Sequence, residues 1–179
     1  MSGLPLVWGT TAAEVLRDYP ADLLVAPPAV AMTRAVSVAA PANLSWRWLC
    51  QTALAPYSYD LVDNLGRRSP GELTPGLGEP EVGGRMVMVY DVTAVTPGEQ
   101  WTGRTGPLAQ RLAGTLGVTY AVHPEGPGSR LVCRMVVPGA TRLQRTRAQA
   151  LAWGDLVMIR KQLLTLKAYA ERDALAAAD

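Results

Sequence analysis

The C-terminal part of the chain most limits what the protein can become. From about Arg147 to Asp173 there is no proline and one glycine, Gly154, while Leu156, Ile159, Leu163, Leu166 and Ala170 recur at steps of three and four. That spacing predicts one long helix with a single apolar face. At about 1.5 Å per residue it would run roughly 40 Å, enough to cross a whole sheet. Trp153, Val157 and Leu164 widen the stripe, so the helix is expected to be largely covered. Such a helix needs a broad apolar partner, and the preceding residues supply one in the form of strands.

In MTRAVSV, residues 32–38, Met32, Arg34, Val36 and Val38 alternate with Thr33, Ala35 and Ser37, the period of a strand. Pro41 then opens a helix, because proline in a first turn gives up an N–H that would be unpaired anyway. That helix carries Trp46, Trp48, Leu49 and Ala53 and is closed by Pro56. From Arg85, RMVMVYDVTAV reads as one strand, TPGE as a turn and QWTGRT as the next strand. LGVTYAVH and RLVCRMVV flank PEGPGS, an antiparallel hairpin signal. In the second arm Leu131, Cys133 and Met135 are expected to face inward, with Arg130, Val132 and Arg134 outward. Ahead of these, Thr11-Ala-Ala-Glu14 is a capping box that predicts a short helix from about Ala12 to Asp18. About five strands, mostly antiparallel, and one long terminal helix make an α+β arrangement. A curved sheet wrapped around that helix would leave an internal cavity, all within one domain over residues 1–179 whose first 30 residues form an extension.

Composition agrees with a large interior. Charged residues are 18% of the chain, against roughly 25% in ordinary globular proteins. There is no Phe, and the six Met suit an adaptable apolar space. A net charge of +2 is too mild to imply a nucleic-acid partner. The densest basic cluster, Arg142, Arg145 and Arg147, reads first as a solvated face, with an anion or membrane-surface patch as the alternative. No segment approaches the ~18 to 20 apolar residues of a membrane span, so no integral membrane association is expected. The N-terminal MSGLPLVWGT lacks the pattern of a secretory signal, which points to the cytoplasm. Cys50 and Cys133 lie far apart in apolar patterns and read as buried free thiols. With one histidine and no His/Cys cluster, neither a metal site nor a cofactor is implied.

The polar candidates gather in APYSYDLVDNLG, residues 55–66. Tyr57 and Tyr59 are two apart, so extended backbone would point both the same way, toward a cavity mouth. A phenol in a dry site can donate to a ligand carbonyl or stabilise an enolate; the alternative is that both anchor the loop. Asp60, Asp63 and Asn64 could act as base or orienting groups, although turns favour these residues for their local hydrogen bonds. His123 has the right ordinary pKa for a general base, but its place beside the PEGPGS turn predicts exposure. Tyr57, Tyr59, Asp60 and His123 are thus weak catalytic candidates and no catalytic role is assigned. Met86, Met88, Tyr90, Trp101 and Tyr120 read as interior, as do Cys133 and Met135 and the helical Leu156, Ile159 and Leu163. Each is core on its own reading, yet a subset of them, with Trp48, is expected to line a cavity.

Several segments resemble one family in order along the chain: TRAVSVAAPANLSWRWL, PYSYDLVDNLGRRSP, EVGGRM, SRLVCRM and LLTLKAYAER. Together they are similar to the START-like, polyketide cyclase/dehydrase and lipid transport superfamily (SRPBCC), with its helix-grip fold. Gly84 stands where related chains often carry an acidic residue. The resemblance implies a cavity for a hydrophobic or polyketide-like small molecule, as in a carrier or sensor. The alternative is a cyclase, aromatase or dehydratase using the same cavity. The third alternative is a protein-interaction module using the outer sheet or the arginine cluster, which an oligomer such as a homodimer formed through an exposed apolar patch would favour.

Overall fold

The computed structural model describes residues 3–107, 110–111 and 114–178. In chain order the elements are β1 (Val7–Trp8), α1 (Ala12–Leu16), a 3-10 turn at Pro20–Leu23, β2 (Ala29–Val38), α2 (Ala42–Cys50) running into a 3-10 turn at Gln51–Ala53, and α3 (Asp60–Asp63). Then follow β3 (Arg85–Met86), β4 (Tyr90–Thr96), β5 (Gln100–Thr105), β6 (Gly117–Glu125), β7 (Gly128–Pro138) and α4 (Arg142–Ala176). Among the described residues the strands form one seven-stranded sheet in the order β1-β2-β7-β6-β5-β4-β3. All neighbours are antiparallel except β1, which runs parallel to β2. Two very short strands, β1 and β3, raise the expected five to seven.

The inner face of the sheet packs on α4. Met32 on β2, Leu131, Cys133 and Met135 on β7, and Val118 and Tyr120 on β6 share one cluster with Ile159, Leu163 and Leu166 of α4. The predicted inward set on β7 is thus the core set. α4 extends over 35 residues from Arg142, five residues earlier than the apolar stripe suggests. Its start is a capping box: Thr141 Oγ1 accepts from the Gln144 N–H, and Gln144 Oε1 accepts from the Thr141 N–H. The far side of the helix is not covered as expected, for Trp153 is 55% and Val157 53% exposed.

The outer face is covered by the N-terminal extension. Arg130 pairs with Glu14 at 2.7 Å and Arg134 with Asp22 at 3.0 Å, so the two outward arginines of β7 hold the extension down. The Pro20–Leu23 turn sits directly on the strands. A Cβ at Gly117 would lie 2.8 Å from the Ala21 carbonyl oxygen, so only glycine allows that approach.

RMVMVYDVTAV is not one strand. The chain turns back after Met86, pairing Met86 with Tyr90, and Val87 and Met88 take φ of 50° and 63°. Met88, expected inside, is 43% exposed on that turn. Apolar residues on both faces concealed the reversal, because periodicity cannot report a left-handed backbone.

Candidate functional site

Strand register places four side chains in a row across the inner face: Arg34 opposite Cys133, Cys133 opposite Tyr120, Tyr120 opposite Trp101. Trp101 and Tyr120 stack with ring centroids 4.9 Å apart. α4 adds Asp155 and Gln162 from above, both buried. Arg34 Nη1 donates to the Leu6 carbonyl, and Nη2 donates to the carbonyls of Pro5 and Ala152. Asp155 Oδ2 lies 3.0 Å from that same Nη2. Both hydrogens of Nη2 are already taken by carbonyls, so the Asp155 contact is charge against charge and its oxygen has no directed hydrogen bond among the described residues. Burial therefore dominates and lifts the Asp155 carboxyl to about 6, with Arg34 opposing the rise.

Tyr120 Oη donates to Gln162 Oε1, and Gln162 Nε2 donates to the Pro56 carbonyl at the start of the tyrosine loop. Burial pushes the phenols of Tyr90 and Tyr120 and the thiol of Cys133 well above their ordinary values, so all three stay protonated at neutral pH. Cys50, buried at the end of α2, is pushed up to about 12, again by burial. Both thiols are free.

The tyrosine loop does not present two phenols side by side. Tyr57 has a φ of 58° and is buried, whereas Tyr59 is 43% exposed. The left-handed residue breaks the alternation that would have aligned them. Tyr57 packs edge-on to Trp48 at 6.1 Å and to Tyr169 at 6.2 Å, and Trp48 in turn donates from Nε1 to Asp173 Oδ2. Burial raises its phenol, whose oxygen has no hydrogen-bond partner among the described residues. Asp60 accepts from the N–H and the hydroxyl of Ser69, and Asn64 donates to the Arg67 carbonyl, so both serve the turn. His123 lies on the outer face, half-buried, where Arg17 Nη1 donates to its Nε2 at 3.1 Å. Burial and then the Arg17 charge lower its pKa.

Open space lies elsewhere. At the end where β7 runs into α4, a groove of about 550 Å³ separates the helix from the sheet. Leu116, Val137, Ala148 and Leu151 make its apolar walls, while Gln110, Arg111, Gln144 and Arg147 supply its polar lining. Val137 is four residues along β7 from Cys133, about 13 Å at ~3.3 Å per residue. Leu151, the α4 wall residue nearest the row, is four residues from Asp155, about 6 Å at ~1.5 Å per residue. Buried Met135, Val118 and Ala152 fill the space between groove and polar row. A second depression of about 400 Å³ on the other side of α4 is lined by Tyr59, Leu156, Trp8, Trp153 and Arg160. Tyr59 and Leu156 therefore share a surface, but not with Tyr57, Tyr90, Trp101 or Tyr120.

Periodicity found the inner-face residues but missed Arg34, Asp155 and Gln162 as a group. The signal was present, since Arg34 falls on the inward phase of β2 and Asp155 on the apolar phase of α4. The groove-lining Arg147 stood out only as part of a basic cluster, and Arg111 not at all.

No protein-family model matches the sequence, and no curated protein does. Solved structures do. The di-domain ARO/CYC protein StfQ from the steffimycin biosynthetic pathway aligns with a TM-score of 0.50 at 16% identity, covering 82% of this chain and 52% of StfQ. Protein MLL2253 from Mesorhizobium loti gives 0.49 at 19% identity over 79% of this chain and 97% of its own. An Arabidopsis thaliana member of the major latex protein family gives 0.43 at 15% identity over 77% and 94%. At 16% identity the likeness to StfQ is one of fold: the helix-grip arrangement of a sheet around a long C-terminal helix.

Proposed function

We propose that this chain, which has the helix-grip fold of the START-like SRPBCC superfamily, binds a hydrophobic or polyketide-like small molecule in the groove between the N-terminal half of α4 and the β6–β7 end of the sheet. One observation carries the reading: a groove of about 550 Å³ with apolar walls stands open at the sheet–helix interface. That volume falls within the ~300 to 1,000 Å³ typical of small-molecule sites. Affinity would come from apolar burial at roughly 25 cal/mol per Å², less the costs of association.

The reading is binding without turnover. Among the described lining residues no side chain is an acid, base or nucleophile near neutral pH. The interior phenols and thiol are held protonated, and Asp155, about 6 Å or one turn along the helix from Leu151, is not itself among the described lining residues.

Leu151 is half-buried and lines the groove, so a larger side chain there fills space without displacing the core. Leu151→Trp is expected to weaken binding of the neutral fluorophore N-phenyl-1-naphthylamine at least about tenfold, a loss near 1.4 kcal/mol, with the fold retained by circular dichroism. Unchanged affinity in that variant would remove the groove from consideration.

A further inference from the structure

We infer that the groove selects an amphipathic anion, a molecule with an apolar body and one acidic group held at the rim by Arg111 and Arg147. The inference rests on the proposed ligand site and adds the charge of its occupant. Arginine elsewhere in the interior and under the extension is matched: Arg34 faces Asp155, Arg130 faces Glu14 and Arg134 faces Asp22. Arg145, from the same basic cluster as Arg147, donates to the carbonyls of Gly139 and Ala140. Arg111 and Arg147 enter none of the ion pairs found among the described residues, and no acidic residue is among the described lining of the groove.

The polar lining is biased the same way. Gln144 spends its side-chain oxygen on the Thr141 N–H, which leaves its amino group as a donor. Guanidinium groups have only donors and remain charged at any working pH. A neutral ligand would gain apolar burial and leave these cations to water. A carboxylate, sulfonate or similar anion on the same body would add charge-assisted hydrogen bonds at the edge of an apolar, poorly solvated space. A bare inorganic anion would leave Leu116, Val137, Ala148 and Leu151 wet, so both halves of the ligand are needed.

Two probes sharing one aromatic body separate the contributions: neutral N-phenyl-1-naphthylamine and anionic 8-anilino-1-naphthalenesulfonate, titrated into the full chain. The sulfonate is expected to bind about tenfold more tightly at low salt, with the preference shrinking as salt screens the rim. In Arg111→Gln/Arg147→Gln the preference should fall to near unity while affinity for the neutral probe changes less than about twofold. Both arginines are exposed, so the double variant should fold. Equal affinity of the two probes in the wild type, or a preference surviving in the double variant, overturns the inference and leaves the ligand site standing. A sulfonate preference that persists in Leu151→Trp places the anion outside the groove and also overturns it. Binding of neither probe removes the ligand site itself.

Discussion

Asp155 is a buried carboxyl whose titration is moved toward neutral pH. Its folded pKa is about 6 against 3.8, because burial penalises the carboxylate more than Arg34 favours it. Between those values the folded protein binds a proton that the unfolded chain does not. This contribution is therefore fully present below about 4 and is lost as pH rises through 6. His123 works in the opposite sense: its folded pKa is lowered, so the unfolded chain takes up a proton first and stability falls as pH drops through the ordinary histidine range. Measured by urea unfolding from pH 7.5 to 5, wild type should gain stability relative to Asp155→Asn as pH falls, by up to about 1.4 kcal/mol per pH unit. A constant difference across that range would show the carboxyl is not buried as described. Tyr57 offers a second test at this scale. Its ring fills an aromatic cluster while its hydroxyl has no partner among the described residues. Tyr57→Phe should thus be neutral or stabilising, and Tyr57→Ala should cost about 3 to 5 kcal/mol; a large loss in Tyr57→Phe would reveal a hidden partner for the phenol.

At the level of elements, α4 and the β3–β4 reversal show two kinds of local control. Thr141-Arg-Leu-Gln144 starts α4 through reciprocal side-chain to backbone bonds, a signal printed in the sequence. The β3–β4 reversal has no such signal. Val87 and Met88 occupy left-handed backbone that usually falls to glycine, and they do so because Met86 pairs with Tyr90 and the Val87 N–H reaches the Thr52 carbonyl. Met88 is half-exposed and its side chain contributes little burial there. Replacing it with glycine removes the left-handed penalty of about 1 to 2 kcal/mol and costs part of that gain in unfolded-chain entropy. Thermal unfolding of Met88→Gly should therefore show a stability equal to wild type or up to about 1 kcal/mol higher; a clear loss would mean the Met88 side chain packs more than its exposure suggests.

For the whole molecule, the sheet uses its two faces differently. The N-terminal extension seals the outer face through Glu14–Arg130 and Asp22–Arg134, whereas α4 closes the inner face along most of its length and leaves the groove open at the β7–α4 corner. Arg34 ties the sheet edge to α4, donating to the carbonyls of Pro5 and Leu6, which lead into β1, and to that of Ala152. A ligand in the groove binds only the folded chain, so the neutral probe at a hundredfold its Kd should add about 2.7 kcal/mol of stability in wild type and much less at the same concentration in Leu151→Trp. Read alone, the sequence carried the elements whose information is local: the period-two strands, the period-3.6 face of α4, the Thr11–Glu14 capping box and the inward phase of Leu131, Cys133 and Met135. The tertiary structure alone decided which phases meet. It put Tyr57 inside and Tyr59 outside through one left-handed residue, brought Arg34 under Asp155 from positions 121 residues apart, and set Arg111 and Arg147 around one opening. Periodicity reports which way a side chain points from its own element. It carries nothing about the long-range packing that decides what that side chain will face.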